Sequence, residues 1–391
     1  MQPFDVIIVG GGLAGNCLAL ALKESGLNCA IIEAYTIEHL KNSPAGDRAL
    51  ALAAGTVQIL EELNIWQGCE SAASPIKNIH ISDRGHFGKT RLSAEKENVN
   101  ALGYVITARD IETHVVDLVS ESNITRIAPA KVTGLQAYDS HIEVIIEQNG
   151  EKQTLSAALL VGADGGQSSI RQLLGIAQHI TDYQQTALVT TVTSTLPHHN
   201  TAYERFTNSG PLALLPLSNK QSAVVWTRKT EAANALMQCD ETEFLAELQT
   251  CFGYRLGKLS LSAPRRSFPL SLIRAEKMTG DRAVIIGNAV HQLHPVAGQG
   301  FNLGLRDVIE LAERIKQHDG DLGDAQFLND YAKARQKDHN VVIGFTNNVV
   351  KIFSNDWLAF AAVRNIGLAL LDHIPPAKSL LSRYAMGFHQ S

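Results

Sequence analysis

Three glycines near the N-terminus stand at a spacing that suits a phosphate-binding turn. Gly10, Gly12 and Gly15 follow an apolar run at residues 6–9 and precede the Ala- and Leu-rich residues 13–23. Between a strand and a helix, such glycines allow a sharp turn, close approach of backbone N–H groups to a pyrophosphate, and tight helix–sheet packing. The helix N-terminus adds unpaired N–H groups and a partial positive charge. The spacing therefore predicts a pyrophosphate site.

An acidic residue follows at the position where a ribose needs one. Residues 29–32 predict a second buried strand, and Glu33 stands at its end. A carboxylate about 20 residues after such a glycine turn accepts hydrogen bonds from ribose hydroxyls. A glycine-rich turn without a ligand has the same spacing, but the strand–turn–helix context and the acid favour a dinucleotide. These residues leave NAD and FAD open.

Two later clusters carry similar chemistry. Asp164-Gly165 ends a predicted strand at residues 158–161, where the Asp either contacts a ligand or only caps the next helix. A further cluster stands at another predicted helix entrance, and its small residues suit a flat, electron-rich group bound along its edge. The cluster consists of Gly287-Asn288, His291, His294, Pro295 and Gly298-Gln299-Gly300. Since no Cys, Asp or Glu accompanies the two histidines, no metal site is predicted. Arg48 is either a solvated surface charge or a contact to cofactor or substrate, and Arg109 stands in the first turn of a predicted helix.

Composition restricts the class of protein. The chain has 391 residues, 45% apolar and 19% charged, with a net charge of −5 and five cysteines without a CxxC pair. We expect two or three domains, no nucleic-acid partner, and a reducing compartment. The first strand begins too early for a signal peptide, and the apolar residues 357–371 are too few to span a bilayer. A cytoplasmic protein is predicted, with attachment to the inner membrane surface left open.

The elements that must position these residues follow an interrupted α/β order. We predict a loop at 34–48, helices at 49–63, 107–120 and 241–252, a strand pair within 76–92, and a hairpin turning at Asn149-Gly150. Further strands are expected at 187–192, 212–217, 222–227 and 283–286, then a loop at 287–304 and a helix at 305–317. The expected domains are a discontinuous dinucleotide domain (1–75, 100–182, 270–330), a mixed-sheet substrate domain (76–99, 183–269) and a C-terminal helical segment (331–391).

Taken together, the three clusters resemble the FAD-dependent aromatic hydroxylases built like p-hydroxybenzoate hydroxylase, over nearly the whole chain and in the same order. Three segments, GDRALALAAGT (46–56), RFTNSGPLALLPL (205–217) and HPVAGQGFNLGLRD (294–307), are similar to the ubiquinone-biosynthesis hydroxylases. The ALAAGT run, the paired histidines and GN in place of GD are most similar to the 2-polyprenyl-6-methoxyphenol hydroxylases. The resemblance implies an α/β fold with a Rossmann-type FAD domain, an inserted mixed-sheet substrate domain and C-terminal helices.

The resemblance also implies roles for individual residues. Its FAD ligands fall on Gly10, Gly12, Gly15, Glu33, Arg48, Arg109, Asp164, Gly165, Gly287, Asn288, Pro295, Gly298, Gln299 and Gly300. Where the family has GD, this chain has Gly287-Asn288, which keeps a hydrogen-bonding side chain but removes one charge near the pyrophosphate. Its catalytic positions fall on His294, Pro295 and Arg48, and for His294 a structural role in the loop is the alternative.

The chemistry implied by the resemblance is a ring hydroxylation. NAD(P)H visits transiently and reduces the flavin, O2 adds at flavin C4a, and the distal oxygen of the hydroperoxide passes to the ring of a polyprenyl phenol. The expected partners are therefore this phenol, O2, NAD(P)H and other ubiquinone-biosynthesis proteins. Alternatives are a hydroxylase of a soluble aromatic, an isoprenoid reductase, and a non-enzymatic prenyl-binding escort protein. Residues 341–371 either complete the core or line an entry for the prenyl tail at a membrane surface.

Overall fold

A computed structural model defines the fold and describes residues 3–86, 88–218, 220–295, 298–353 and 375–387. The described strands, in chain order, are β1 (Phe4–Val9), β2 (Cys29–Ile32), β3 (Ala49–Ala53), β4 (Ser74–Ile76), β5 (Asn78–Asp83), β6 (Lys89–Ser93), β7 (Gly103–Thr107), β8 (Thr125–Ile127), β9 (Lys131–Ala137), β10 (Ile142–Gln148), β11 (Glu151–Gly162), β12 (Gln178–Ser194), β13 (Thr201–Thr207), β14 (Gly210–Pro216), β15 (Gln221–Lys229), β16 (Leu259–Leu261), β17 (Arg266–Ala275), β18 (Thr279–Gly280), β19 (Ala283–Ile285) and β20 (His291–Gln292).

The described helices connect these strands and complete the C-terminal part of the chain. They are α1 (Leu13–Leu22), α2 (Ile37–Lys41), α3 (Ala54–Glu62), α4 (Trp66–Cys69), α5 (Ala108–Ser120), α6 (Ser169–Leu173), α7 (Thr230–Gln238), α8 (Glu241–Phe252), α9 (Gln299–Gln317), α10 (Ala325–Phe353) and α11 (Pro375–Ala385). Among them, none is both long and apolar enough to cross a bilayer.

Three sheets organise the described part of the chain. An eight-stranded sheet has the order β18-β19-β11-β1-β2-β8, with β9 and β10 continuing from β11. A nine-stranded sheet has the order β20-β17-β12-β15-β14-β13-β5-β6, with β16 beside β12, and a small sheet has the order β3-β7-β4. The inner strands β1, β2, β11 and β19 pair in parallel. This arrangement confirms the predicted α/β class with a second, mixed sheet.

The hydrophobic cores follow the two large sheets. The inner strands of the first sheet are apolar on both faces because both faces are covered; Val6, Ile7 and Ile8, for example, are fully buried in one cluster with residues of α1, α9 and β10. On the nine-stranded sheet, Leu212 and Trp226 pack with residues of α7 and α8 in a separate cluster. Each large sheet therefore has its own core. The predicted domain limits stay a prediction, and β12 and β17 run across two of them.

Several predicted elements are correct and three are wrong. Helix α8 matches the predicted 241–252, and the β10–β11 hairpin turns at Asn149-Gly150 with both φ angles positive. The predicted loop at 34–48 contains α2 and a 3-10 turn at Pro44–Asp47. The predicted helix at 49–63 begins as strand β3, because pairing with β7 outweighs the helix propensity of Ala and Leu.

The helix predicted at 305–317 begins six residues earlier, at Gln299. The Asn302 side chain receives the Ala53 N–H at 3.0 Å and donates to the Ala51 carbonyl at 3.0 Å. These long-range bonds hold the first turn of α9 against β3, although glycine and asparagine are poor helix formers. Gln299 and Gly300 thus lie in a helix and not in a loop. The predicted apolar stretch 357–371 lies outside the described residues.

Candidate functional site

Four predicted cofactor segments meet at one edge of the eight-stranded sheet. Val9 pairs with both Gly162 and Ile32, and Gly162 pairs with Ile285, so β1, β2, β11 and β19 end at the same level. The carboxyl edge of an open parallel sheet is where α/β proteins bind their ligands. The segments that follow these strand ends are the first glycine turn, Glu33, Asp164 and Gly287.

The glycines of the first turn differ in what surrounds them. Gly10 has φ +106°, and a Cβ there would lie 2.5 Å from the Ala163 carbonyl oxygen. A Cβ on Gly15 would lie 1.9 Å from the Gly10 carbonyl oxygen, so α1 approaches the turn too closely for any side chain. Around Gly12, no atom of the part of the chain that the structure describes, apart from its chain neighbours, lies within 4 Å of the position a Cβ would take. Gly12 therefore borders open space, as a pyrophosphate would require.

Glu33 lies beside this turn. Its carboxylate accepts the Gly11 N–H at 2.6 Å and the Tyr35 N–H at 2.9 Å. Each carboxylate oxygen still has a lone pair for another donor. The observed position is compatible with the predicted bond to a ribose hydroxyl.

Arg126, on β8 beside Glu33, did not stand out in the sequence. One of its terminal nitrogens, Nη2, donates to the Asn16 side chain at 2.9 Å. Its Nε and Nη1 are buried and lack a partner within the described residues. Burial lowers the pKa of Arg126, and the charge of Glu33 opposes this shift. The only indication in the sequence is a basic residue in a short strand.

Asp164 both caps a helix and keeps one oxygen available. Its Oδ2 accepts the Ser169 N–H at 2.7 Å and the Ile170 N–H at 3.1 Å, at the start of α6. Its Oδ1 is buried and has no hydrogen-bond partner in the described part of the chain. Gly165, with φ +84°, turns the backbone directly after it. The cap interpretation accounts for one carboxylate oxygen and leaves the other for a ligand.

The Gly287-Asn288 turn lies against the start of α1. Gly287 has φ +60°, and a Cβ on it would lie 3.3 Å from the Cβ of Ala14. Asn288 is exposed. Because Ala14 follows Gly12 by two residues, the Gly287-Asn288 turn lies close to the glycine turn.

A buried carboxylate forms a hydrogen bond with this turn. Asp307 on α9 is fully buried and accepts the Gly287 N–H at 3.4 Å. The same carboxylate accepts from Arg335 Nε at 2.8 Å and contacts His339 Nε2 at 2.7 Å and His291 Nε2 at 3.4 Å. Sequence reasoning did not identify Asp307, Arg335 or His339 as parts of the site.

Charge determines the state of this group, which we call the Asp307 network (Asp307, His291, Arg335 and His339). Burial alone would raise the pKa of Asp307, but His339, His291 and Arg335 outweigh burial and hold it well below its ordinary value. Burial lowers the pKa of His291, although Asp307 opposes the shift. The ligand atoms of His291, Asp307 and His339 lie within 4.8 Å of one another. Because a guanidinium already pairs with the carboxylate, the set suits an ion-pair network better than a metal ion.

The third cluster enters α9 through a left-handed residue. Gly298 has φ +62° and donates its N–H to the Pro295 carbonyl at 3.2 Å. A Cβ on Gly298 would lie 2.9 Å from the Cβ of Ala51 on β3. No atom of the described residues beyond the helix backbone and the chain neighbours lies within 4 Å of the Cβ position of Gly300, and Pro295 is exposed. Pro295 and Gly300 thus border open space, whereas Gln299 is buried.

His294 is buried beside this loop. Only 1% of it is exposed, and the Tyr183 ring meets it edge-on with centroids 5.4 Å apart. Neither ring nitrogen has a hydrogen-bond partner within the described residues. Burial lowers the pKa of His294 to about 4, so its imidazole is neutral at neutral pH.

We expect this burial to make the protein sensitive to acid. Below about pH 6.5 the unfolded chain protonates His294 while the folded chain does not, so stability falls with pH down to about 4. At about pH 5 the loss attributable to this residue is roughly 2 kcal/mol. Urea unfolding of His294→Leu at about pH 7.5 and pH 5 should show less acid destabilisation than the parent by that amount. The exposed His179 provides the control His179→Leu, and equal pH dependence of the two variants would contradict the expectation.

Arg48 and Arg109 lie at a cavity between the start of α5 and the nine-stranded sheet. Together with Arg266 of β17 they line a space of about 360 Å³. Arg109 donates to the Ser43 carbonyl at 3.0 Å and to Asp47 Oδ1 at 2.6 Å. Arg109 thereby holds the segment before Arg48, and Arg48 itself is exposed.

One row of paired residues on the nine-stranded sheet begins at this cavity, which Arg266 and Val189 line. Arg266 pairs with Val189, Val189 with Val225, and Val225 with Ala213. All of them keep accessible surface, whereas Leu188, the neighbour of Val189 on the other face, is buried against the α7–α8 core. Directly paired residues point to the same face of a sheet. The row therefore forms an accessible and mostly apolar floor that extends from the cavity across the sheet.

Comparison with known proteins identifies the family. Residues 3–346 match the FAD binding domain family. Ubiquinone hydroxylase UbiL of Rhodospirillum rubrum is 34% identical over 98% of this chain and 89% of its own length. Ubiquinone hydroxylase UbiM of Neisseria meningitidis is 30% identical over 98% of this chain and 84% of its own length.

A solved structure shares the whole fold. The p-nitrophenol 4-monooxygenase PnpA of Pseudomonas putida superposes with a TM-score of 0.81 at 16% identity, covering all of both chains. The predicted p-hydroxybenzoate hydroxylase-like fold and the FAD cofactor are confirmed. The chain belongs to the FAD-binding monooxygenase family that includes the ubiquinone hydroxylases.

Proposed function

We propose that the chain uses NAD(P)H and O2 to hydroxylate the ring of a polyprenyl phenol on the route to ubiquinone. The observation that carries the proposal is the juxtaposition of Arg48 and Arg109 with the end of an apolar floor at one cavity. Val189, Val225 and Ala213 offer that floor to a substrate whose ring and tail are apolar. The names of the relatives UbiL and UbiM support ubiquinone as the product class.

The residues at the edge fit FAD. Gly12 borders open space for the pyrophosphate, Glu33 keeps lone pairs for a ribose, and Asp164 has a buried oxygen without a partner in the described chain. Bound and reduced FAD activates O2 for transfer of one oxygen atom to an electron-rich ring. We assign Gly12 to the pyrophosphate, and Asp164 and Asn288 to the hydroxyl-bearing chain of FAD.

The other predicted site residues act around this group. Arg48 and Arg109 place positive charge at the cavity, where it attracts the phosphates of FAD or of the visiting nicotinamide nucleotide. Pro295 and Gly298 shape the loop against β3, and the buried His294 holds that loop. The apolar floor excludes water from the space where oxygen transfer must occur. Attachment to a membrane surface and assembly with other ubiquinone-biosynthesis proteins belong to the proposal as well.

Two measurements test the proposal. The purified protein should be yellow with bound FAD, and a farnesylated phenol should stimulate NAD(P)H oxidation with one hydroxylated product per NAD(P)H. A strain lacking the protein should accumulate a prenylated intermediate that has one ring hydroxyl fewer than the proposed hydroxylated product. Hydroxylation of only non-prenylated phenols, or reduction of isoprenoid double bonds, would support a different enzyme of this fold. Prenyl binding without FAD would support an escort protein.

A further inference from the structure

An acidic residue continues the apolar row. Ala213 pairs with Glu204 of β13, and Glu204 pairs with Ile81 of β5. Glu204 therefore shares the face of Val189 and Val225, and both it and Ile81 keep accessible surface. The neighbouring Tyr203 points the other way, toward the α7–α8 core. The floor thus carries a guanidinium at Arg266 and a carboxyl at Glu204, about 19 Å apart at four strand spacings.

The same face of β13 lies near Gly298, the residue before α9. Ala202, two residues before Glu204, packs in one cluster with Val105 and Ala49 of the small sheet. Val105 pairs with Ala51, and Ala51 is the residue that Gly298 contacts. Gly298, the residue before α9, and the inner face of β13 therefore both lie against the small sheet. Glu204 is about 7 Å further along its strand.

The surroundings of Glu204 are apolar. Its direct neighbours across the strands are Ala213 and Ile81, and its neighbours on the same face of β13 are Ala202 and Phe206. No hydrogen bond or ion pair involves its carboxyl group among the residues that the structure describes. Burial raises the pKa of Glu204 to about 7, and no charged group contributes to the shift.

The charged groups nearby do not neutralise it. Asp83 lies on the same face of β5 as Ile81, but its strand partner on β13 is Phe206 and not Glu204. Arg205 points to the opposite face, and the facing clusters from the small sheet and β14 are apolar. A carboxyl group that keeps accessible surface on an apolar face, with no partner among the described residues, can accept a proton from a ligand bound there, so we treat it as a candidate functional residue.

We infer that Glu204 is the catalytic base that accepts the proton of the substrate phenol. This inference rests on the proposed function. In this step the phenol O–H bond breaks, the electron pair stays on the phenol oxygen, and one oxygen of the Glu204 carboxylate gains the proton. The resulting phenolate places more electron density on the ring carbon that accepts oxygen. A base whose pKa lies near the operating pH is the most effective in such a transfer.

The variant Glu204→Gln tests the role because it keeps the shape and removes the base. With a farnesylated phenol, we expect hydroxylated product to form about 100-fold more slowly, while FAD content and the rate of flavin reduction without the phenol stay unchanged. Product formation by the parent should decline as the pH falls below about 7, because Glu204 becomes protonated, and the variant should lack this decline. The exposed Glu247 on α8 provides the control Glu247→Gln, which should match the parent.

Each other outcome counts against the inference. Product formation by Glu204→Gln within about twofold of the control, or a retained decline below pH 7, would overturn it. If Glu204→Gln fails to bind FAD, Glu204→Asp is measured instead. This variant should form product more slowly than the parent but keep the decline of product formation below about pH 7. Absence of that decline in Glu204→Asp would overturn the role. If the parent and the control both fail to hydroxylate the phenol, the proposed function itself is wrong and the inference falls with it.

Discussion

Replacing Asp307 with Asn should destabilise the protein by about 1.5–3 kcal/mol and strip it of FAD. The substitution removes one of the two carboxylates that pair with the buried Arg335, which keeps its pair with Asp338. It also places a neutral amide beside His291 and His339. The bond from the Gly287 N–H to Asp307 links this loss to the cofactor edge. Because the folded pKa of Asp307 lies below its ordinary value, its stabilisation is complete above about pH 4 and is lost at lower pH.

Urea unfolding at neutral pH, with and without added FAD, measures both effects. The matched control is Glu310→Gln on the same helix, which breaks a half-exposed pair with Arg314 and should cost about 0.5 kcal/mol or less. If Asp307→Asn unfolds like Glu310→Gln and retains FAD, then the Asp307 network has no role in holding the turn at Gly287.

The cofactor edge could be predicted because its chemistry is local. Gly10, Gly12 and Gly15 serve one turn, and each strand that ends at the edge is followed within a few residues by its polar group. Local periodicity also identified α8 and the hairpin at Asn149-Gly150. The parallel register that brings Asp164 beside Gly10 then follows from the βαβ architecture.

The errors arise where distant residues decide the local structure. The run ALALA at β3 has high helix propensity, and only its pairing with β7, some 50 residues later, makes it a strand. The first turn of α9 depends on bonds from Asn302 to β3, about 250 residues earlier in the chain. Neither interaction has a local pattern.

The missed polar residues did leave a pattern in the sequence. Asp307 stands among Leu303, Val308 and Leu311 on the buried stripe of α9. Glu204 stands between Ala202 and Phe206 on the inner side of β13. An acid at a position where the periodicity requires an apolar residue indicates a buried partner or a functional role. Which of the two applies depends on contacts that only the fold supplies.

Alanine variants in the glycine turn should distinguish a glycine that is needed for packing from one that is needed for cofactor binding. In Gly15→Ala the new methyl group would lie 1.9 Å from the Gly10 carbonyl oxygen, so α1 must move away from the turn. We expect a loss of about 1–3 kcal/mol of stability, and loss of FAD because the helix N-terminus shifts. In Gly12→Ala the methyl group meets no protein atom within 4 Å, so the fold should lose at most about 1 kcal/mol through the poorer N-cap.

Gly12→Ala should nevertheless bind FAD at least about tenfold more weakly, a difference of about 1.4 kcal/mol, because the methyl group occupies the space assigned to the pyrophosphate. Urea unfolding without FAD separates the stabilities, and fluorescence titration of each apoprotein with FAD separates the affinities. A stable Gly12→Ala with parental affinity would place the pyrophosphate elsewhere. A stable Gly15→Ala with parental affinity would mean that α1 can shift without disturbing the turn. Only weakened binding in both variants, with destabilisation confined to Gly15→Ala, fits a turn in which one glycine serves packing and the other serves the cofactor.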